Sequence, residues 1–596
     1  MPCMHENNSF FLYGWGSEQL QKVYEVFYMD LEMCRAQILS NDYRDFIVSM
    51  DGGRISLPAL PEEVCSQEVG AGYEIVYLNK NIAEPIDFDR YVYNAVPQCY
   101  GLLDMDAMNQ AGISQVQYYP TLNVAGEGVM IGFVDTGIDY TNPVFRKLDG
   151  STRIVRIWDQ TIQDGLVPDG FAYGSEYTEE MLNQALQSED PKVIVPSEDT
   201  ITHGTFVASL ACGSGNAENR FLGAAPESAI AMVKLKPAKR YLRDFYAIAG
   251  EAVCYQENDI MLGIRYLRNL AQRYQMPLVI CLAVGTSFGG HNGNNSLDFM
   301  LQIYANSSNQ IIVSGTGNEA NQRHHYQGKI EALTERREIE LQVGTGVEAF
   351  SIELWAELPN LIAVSVISPS GEVLPRISVR QRGMFSFRFL FEQTTVQVYN
   401  QILSKFNSAQ LIFMRFLAPV PGIWRIVAEP VRLAGGIFHL WLPMKEFLTG
   451  NVIFLESDPD TTLTGPGTTR SVITAAYYNG DENSIDINSG RGYTRLNSVK
   501  PDFAVPGVNV TGALPGGRFA ERSGSSIGVA IAAGASALLL EWLLEQEKRS
   551  AGYDTMQLKG LFILGARKRT DIEYPDKAWG YGALDLYETL RTIREL

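Results

Sequence analysis

Val129-Met130-Ile131-Gly132-Phe133-Val134-Asp135-Thr136-Gly137 is the stretch on which the reading of this chain turns. An apolar run with no polar alternation stops at an acid and a glycine turn. Such a run fits a strand buried on both faces, the kind found in parallel sheets covered by helices. Working outward, Ile230–Leu235, Leu278–Val284 and Gln310–Ser314 repeat the pattern. Helically spaced apolar residues fill Asp259–Gln275 and Asn295–Ala305 between them. The alternation predicts an α/β fold, a parallel sheet with helices on both faces.

Two regions break the pattern. From about Gly328 to Asn451 the apolar residues alternate with period two, as in Ile352-Glu353-Leu354-Trp355 and Phe438-His439-Leu440-Trp441. Turn signals at Ser370-Gly371, Pro421-Gly422 and Gly435-Gly436 separate these runs. Half-buried antiparallel strands in a β-sandwich account for this. The first 93 residues hold 15 acidic and 6 basic side chains. There, Ser17–Leu39 has helical spacing, and Asp45–Met50 and Tyr73–Leu78 read as short strands, a small α+β unit. Four segments are expected: 1–93, 94–325, the inserted sandwich 326–451, and 452–596, where the α/β character resumes.

The 596 residues carry 48 basic and 68 acidic side chains, a formal net charge of −20. That balance argues against nucleic-acid or anionic-membrane partners, which need a basic face. The longest apolar run, Ile527–Leu540, contains Ser536 and stops at Glu541, short of a membrane span. Met1–Phe10 has no basic region ahead of an apolar stretch, so no signal peptide is expected. Seven cysteines, an odd number without CxxC spacing, predict free thiols in a reducing compartment and neither a disulfide framework nor a zinc site. No compact Asp/Asn/Glu loop with calcium-ligand spacing is found, which leaves calcium open without a motif, and no other metal or cofactor is expected.

Three short segments combine a reactive residue with an element end. Asp135 closes an apolar strand, where ligands gather in open α/β sheets, although alone it reads as a turn former. His203, one of only six histidines, opens the small and apolar run Gly204–Leu210; alone, it is as readily a helix-start residue. Ser525 and Ser526 head the long apolar stretch, and either alone reads as an N-cap. Together, an acid, an imidazole and a hydroxyl supply an orienter, a base and a nucleophile, because serine is a poor nucleophile until a neighbouring imidazole takes its proton.

In their order and wording, Val134-Asp135-Thr136-Gly137, His203-Gly204-Thr205 and Ser523-Gly524-Ser525-Ser526 resemble the three active-site motifs of subtilisin-like serine proteases. Gly223-Ala224-Ala225-Pro226, Gly317-Asn318-Glu319, Lys500-Pro501-Asp502 and Trp579-Gly580-Tyr581-Gly582 resemble further segments of that family. The resemblance implies that Ser526 attacks the scissile carbonyl, His203 transfers the proton and Asp135 holds His203. It makes Asn318 an oxyanion-hole donor, and Val284, Gly285 and Thr286 one wall of the primary specificity pocket. The chain departs from the family at Phe206, in place of a common histidine, and at Ile527–Ala532, where the usual proline is missing.

Ser526 lies 208 positions after Asn318, more than uninserted members need, which fits a jelly-roll-like insertion. That insertion, with a short N-terminal unit, resembles the clostridial spore-germination subtilases, the Csp group. This resemblance implies a prodomain that is cut off autocatalytically and stays bound as an inhibitor, with Tyr93–Asn94 as the expected cut. It also implies a protein substrate such as a spore-cortex hydrolase zymogen, and a cytoplasmic or spore-associated location. Some group members have lost triad residues, so a pseudoprotease acting as a sensor or scaffold is the alternative. A wall-binding role for the insert through Trp355, Trp424 and Trp441 is a third reading, set against the commoner role of period-two tryptophans as core.

Overall fold

The computed structural model describes residues 31–49, 65–87, 90–102, 109–117, 119, 122, 124–379, 384–403, 408–547 and 552–595. Its centre is a nine-stranded sheet. In spatial order it runs Ser484–Ile485, Ile473–Asn479, Gln310–Gly315, Leu278–Leu282, Met130–Asp135, Ala229–Lys234, Ile154–Asp159 and Ser175–Thr178, with Phe503–Pro506 also paired to Ile473–Asn479. The inner pairs are parallel, and antiparallel pairs close both ends.

The unbroken apolar runs have the meaning expected of them. Ile131 and Phe133 join the core under helices His203–Cys212 and Ser525–Glu547. Met130 and Val134 join a second core on the opposite face, with helices Glu257–Tyr274 and Ser296–Ala305. Successive side chains of one strand therefore enter two different cores. Helix Ser525–Glu547 is long and apolar enough for a membrane span, but its most apolar window is 94% buried inside the protein. It is a core helix.

The N-terminal unit contributes strands Tyr43–Ser49, Cys65–Gly70 and Tyr73–Asn79, an antiparallel sheet with Tyr73–Asn79 in the middle. Helix Leu31–Leu39 packs on it, while Ser17–Asp30 of the expected helix and Met50 of the first expected strand lie outside the described residues. Ile38, Ile47, Val69 and Ile75 enter the same core as helix Glu257–Tyr274, so this unit is seated on the central domain. Buried Asp45 deepens the contact by accepting hydrogen bonds from Lys239 Nζ, Gln256 Nε2 and Asn258 Nδ2.

The expectation of free thiols needs correction. Cys34 and Cys65 form a disulfide. Helix Leu31–Leu39 lies across the strand that begins at Cys65, a tertiary contact that cysteine counting cannot reveal. Cys99, Cys212, Cys254 and Cys281 are free and buried.

Between His325 and Phe454 the chain forms two antiparallel sheets, of six and five strands. Ile352, Leu354, Met414 and Phe438 from one sheet meet Ile339, Leu341, Val364 and Trp424 from the other in a shared core. Strand Ala349–Glu357 shows why its period-two pattern contains so few exposed residues. Its even-numbered residues point between the sheets, and Trp355 points the other way into a core shared with the N-terminal unit and the catalytic domain. Trp355, Trp424 and Trp441 are all buried, so they form no exposed aromatic surface for a cell wall.

Candidate active site

Asp135, His203 and Ser526 come from three separate element ends and converge. Asp135 is the last residue of strand Met130–Asp135, His203 the first of its helix, and Ser526 the second of helix Ser525–Glu547. His203 Nδ1 lies 2.8 Å from Asp135 Oδ1, and His203 Nε2 lies 2.8 Å from Ser526 Oγ. An ionised carboxylate only accepts, so Nδ1 carries the imidazole proton and Nε2 is left to accept from the Ser526 hydroxyl. All three side chains are buried.

A second set of hydrogen bonds locks these ends to one another. Buried Asp199 accepts from Thr136 Oγ1, Thr202 N and Thr205 N, each at 2.8 Å. Thr136 Oγ1 in turn accepts from Gly204 N at 2.8 Å. The turn after Asp135 and the first turn of the His203 helix are thus one unit. Asp199 escaped the sequence reading; its signal was an acid just ahead of a helix start, where first-turn N–H groups need acceptors. Thr202 adopts a left-handed φ of 73°, and its hydroxyl accepts from Arg522 Nη2 at 2.6 Å. Arg522 lies four residues before Ser526, so the His203 and Ser526 segments are tied together as well.

Asn318 faces the same place. Its Oδ1 accepts from Ser525 N at 3.1 Å, and Gly317 N donates to Ser525 Oγ at 3.1 Å. With Oδ1 so engaged, the amide orientation is set, and its NH₂ is the end available to an oxygen near Ser526. The departures from the family leave this arrangement intact. Phe206 is fully buried against Gly512 and carries the Arg522 guanidinium over its ring, 5.1 Å from the centroid. The nucleophile helix runs unbroken from Ser525 without the proline.

A strand from near the N-terminal unit pairs with the segment that passes beside Ser526. Cys99–Leu102 is the middle strand of a small antiparallel sheet, between Tyr255–Gln256 and Val284–Gly285. Gly101 pairs with Gly285, Leu102 with Val284, and Cys99 with Gln256. The preceding residue, Ala283, has its carbonyl oxygen 3.5 Å from Ser526 Oγ. Thr286, which follows Gly285, exchanges two 2.9 Å backbone hydrogen bonds with Gly465. Buried Glu257 secures the entry to this strand, accepting from Gln98 N at 3.1 Å and Leu297 N at 2.9 Å. Burial pushes its carboxyl up to about 7 against the pull of those two bonds.

Tyr93 and Asn94, the expected cleavage pair, lie elsewhere. They form a short 3₁₀ turn with Ala95. Tyr93 is fully buried, with its hydroxyl 2.7 Å from Glu353 Oε1 of the inserted domain. Asn94 O accepts from Ser296 Oγ at 2.8 Å. The segment that reaches the strand beside Ser526 begins several residues later, at Cys99. Among the described residues, no three His, Cys, Asp or Glu side chains gather as a metal site.

Fold and residues together define a subtilisin-like serine endopeptidase. The sequence matches the subtilase family over residues 126–388 and 449–582, and the chain belongs to that family. It is similar to the CspB protease of Clostridium perfringens, at 29% identity and a TM-score of 0.72, covering 82% of this chain and 99% of that one. A maturation protease of prenylagaramide, PagA, aligns at 12% identity and a TM-score of 0.38 over 80% of this chain and 97% of its own, too distant to carry an argument. No curated protein matches the chain.

Proposed function

We propose that Ser526 is the nucleophile of this peptidase, His203 its general base and acid, and Asp135 the group that orients His203. The observation that carries this is the position of His203, 2.8 Å from both partners. In acylation, Ser526 Oγ bonds to the scissile carbonyl carbon as its proton passes to His203 Nε2. The imidazolium then gives that proton to the leaving amine, and water repeats the sequence to release the acyl group. Asn318 and the Ser526 backbone N–H stabilise the oxyanion, helped by the N-terminus of the long helix. Val284, Gly285 and Thr286 form one wall of the pocket for the residue before the cut. No cofactor takes part.

The N-terminal unit acts as a prodomain that the enzyme cuts and retains. The pairing of Cys99–Leu102 with the wall beside Ser526 supports a cut at one of the two bonds that follow Leu102, in place of Tyr93–Asn94. After the cut, this strand occupies the cleft as a bound product and inhibits. Resemblance to the Csp group supports a protein substrate such as a spore-cortex hydrolase zymogen and a spore-associated site of action.

Labelling with a fluorophosphonate probe tests the assignment. The expected result is one adduct, on Ser526, absent from Ser526→Ala and strongly slowed in His203→Ala. Failure of the wild-type chain to label, in a chain that also stays uncut, points instead to a pseudoprotease that uses the fold for binding.

A further inference from the structure

Asn318 is followed by an interaction that the triad does not use. The next residue, Glu319, accepts at Oε2 a 3.0 Å hydrogen bond from His324 Nδ1. Both side chains are buried, at 3% and 5% exposure. A carboxyl and an imidazole withdrawn from water are costly unless they satisfy each other, so this pair fixes both residues. Its two ends belong to different parts of the molecule. Glu319 begins a tight turn, in which Gln322 N donates to Glu319 O at 3.1 Å and Gln322 Nε2 approaches Asn318 O at 3.4 Å. His324 is anchored in the sandwich. Its carbonyl accepts from Leu442 N at 2.9 Å, and the adjacent residue, His325, opens the first strand by pairing with Trp441.

We propose that the Glu319–His324 pair positions Asn318, so that the inserted sandwich sets the geometry of the oxyanion hole. This rests on the reading of Asn318 as an oxyanion donor. An oxyanion donor works only if held in place before charge develops, and fractions of an ångström matter. Asn318 is held on one side by Ser525 N and on the other by the Glu319 turn. His324, one residue ahead of the first sandwich strand and bonded to Leu442 of the sandwich, closes that second restraint. Glu319 and His324 are positioning residues, acting through Asn318 without touching the substrate.

A double-mutant cycle on the full chain, read as the second-order rate of fluorophosphonate labelling, tests this. The phosphonyl oxygen gains negative charge as Ser526 attacks, so the rate reports the oxyanion hole. His324→Ala is expected to slow labelling about tenfold alone, and to change it by less than about twofold in an Asn318→Ala background. Glu319→Gln, whose amide oxygen still accepts from Nδ1, is expected to keep most of the rate, and Glu319→Ala to lose it. If His324→Ala does not fold, Glu319→Ala enters the same cycle. Equal losses in both backgrounds identify a merely structural pair and overturn the proposal, as does no loss in the otherwise wild-type chain. If Asn318→Ala itself labels at the wild-type rate, the oxyanion reading falls and the proposal with it, while labelling at Ser526 still reports the triad.

Discussion

Gly204 packs so closely on Gly137 that a Cβ at position 204 would overlap the Gly137 carbonyl oxygen. The two glycines belong to the turns that carry His203 and Asp135, so their contact sets how near the imidazole comes to the carboxylate. A methyl group there would also stand 3.1 Å from Asp135 Oδ1. Gly204→Ala is therefore expected to push the base away from its orienter. The measurement is fluorophosphonate labelling beside a melting curve. Labelling should fall by at least about 10²-fold in a chain that still melts cooperatively. Labelling near the wild-type rate would show that this packing does not govern the triad.

In the proposed mechanism, Asp135→Asn removes the negative charge facing the imidazolium that forms when His203 takes the Ser526 proton. Because Asn is nearly isosteric, and Thr136 N still has an oxygen to bond, the fold should hold. Turnover is expected to drop on the order of 10⁴-fold with little change in melting temperature. A rate comparison on any peptide the wild type cleaves checks this. A loss below about tenfold would remove Asp135 from the mechanism.

Glu353 carries a pH dependence. It is buried in the inserted domain, where Tyr93 OH, Gly289 N and Trp355 Nε1 donate to it. Burial pushes its carboxyl up to about 7 from 4.5, with those donors pulling the other way. Below pH 4.5 both folded and unfolded chains bind the proton. Between 4.5 and 7 mainly the folded chain does, so this group's contribution to stability falls as pH rises through that window and is flat above it. The whole effect is on the order of 3 kcal/mol. Measured in a Ser526→Ala background, Glu353→Gln should melt higher than its parent at pH 7.5, and the difference should shrink toward pH 5. A constant difference across that range would show that Glu353 does not titrate there.

Asp45 is the buried acceptor between the N-terminal unit and the central domain, and Lys239 is buried with it. Asp45→Ala leaves that ammonium without its carboxylate, at a cost of about 3–5 kcal/mol. The cut N-terminal unit should then separate from the rest during gel filtration, where the wild-type fragments are expected to elute together. Co-elution of the mutant fragments would assign retention to the apolar contacts alone.

Much of the candidate site was legible because each residue closes a local pattern. Asp135 ends an apolar strand, His203 begins a helix, Ser526 heads the longest apolar run, and Asn318 follows a glycine at a strand end. The two cores are likewise written in unbroken apolar runs, and the sandwich in its period-two alternation. Asp199 was less visible, because its partners Thr136, Thr202 and Thr205 meet only when two turns come together. The strand now proposed to precede the cut was hidden for a related reason. The pairing of Gly101 with Gly285 joins segments 184 residues apart, and nothing in the composition near Tyr93 or Cys99 encodes that register. The Cys34–Cys65 bond is another contact made only by the tertiary fold.

The most direct test of the central claim is the intact mass and N-terminal sequence of the purified full chain beside Ser526→Ala. Ser526 as nucleophile, with Cys99–Leu102 lying in its cleft, predicts two wild-type fragments divided at one of the two bonds after Leu102. The Ser526→Ala chain should remain whole. A wild-type chain that stays intact, or a Ser526→Ala chain cut at the same bond, would contradict the account.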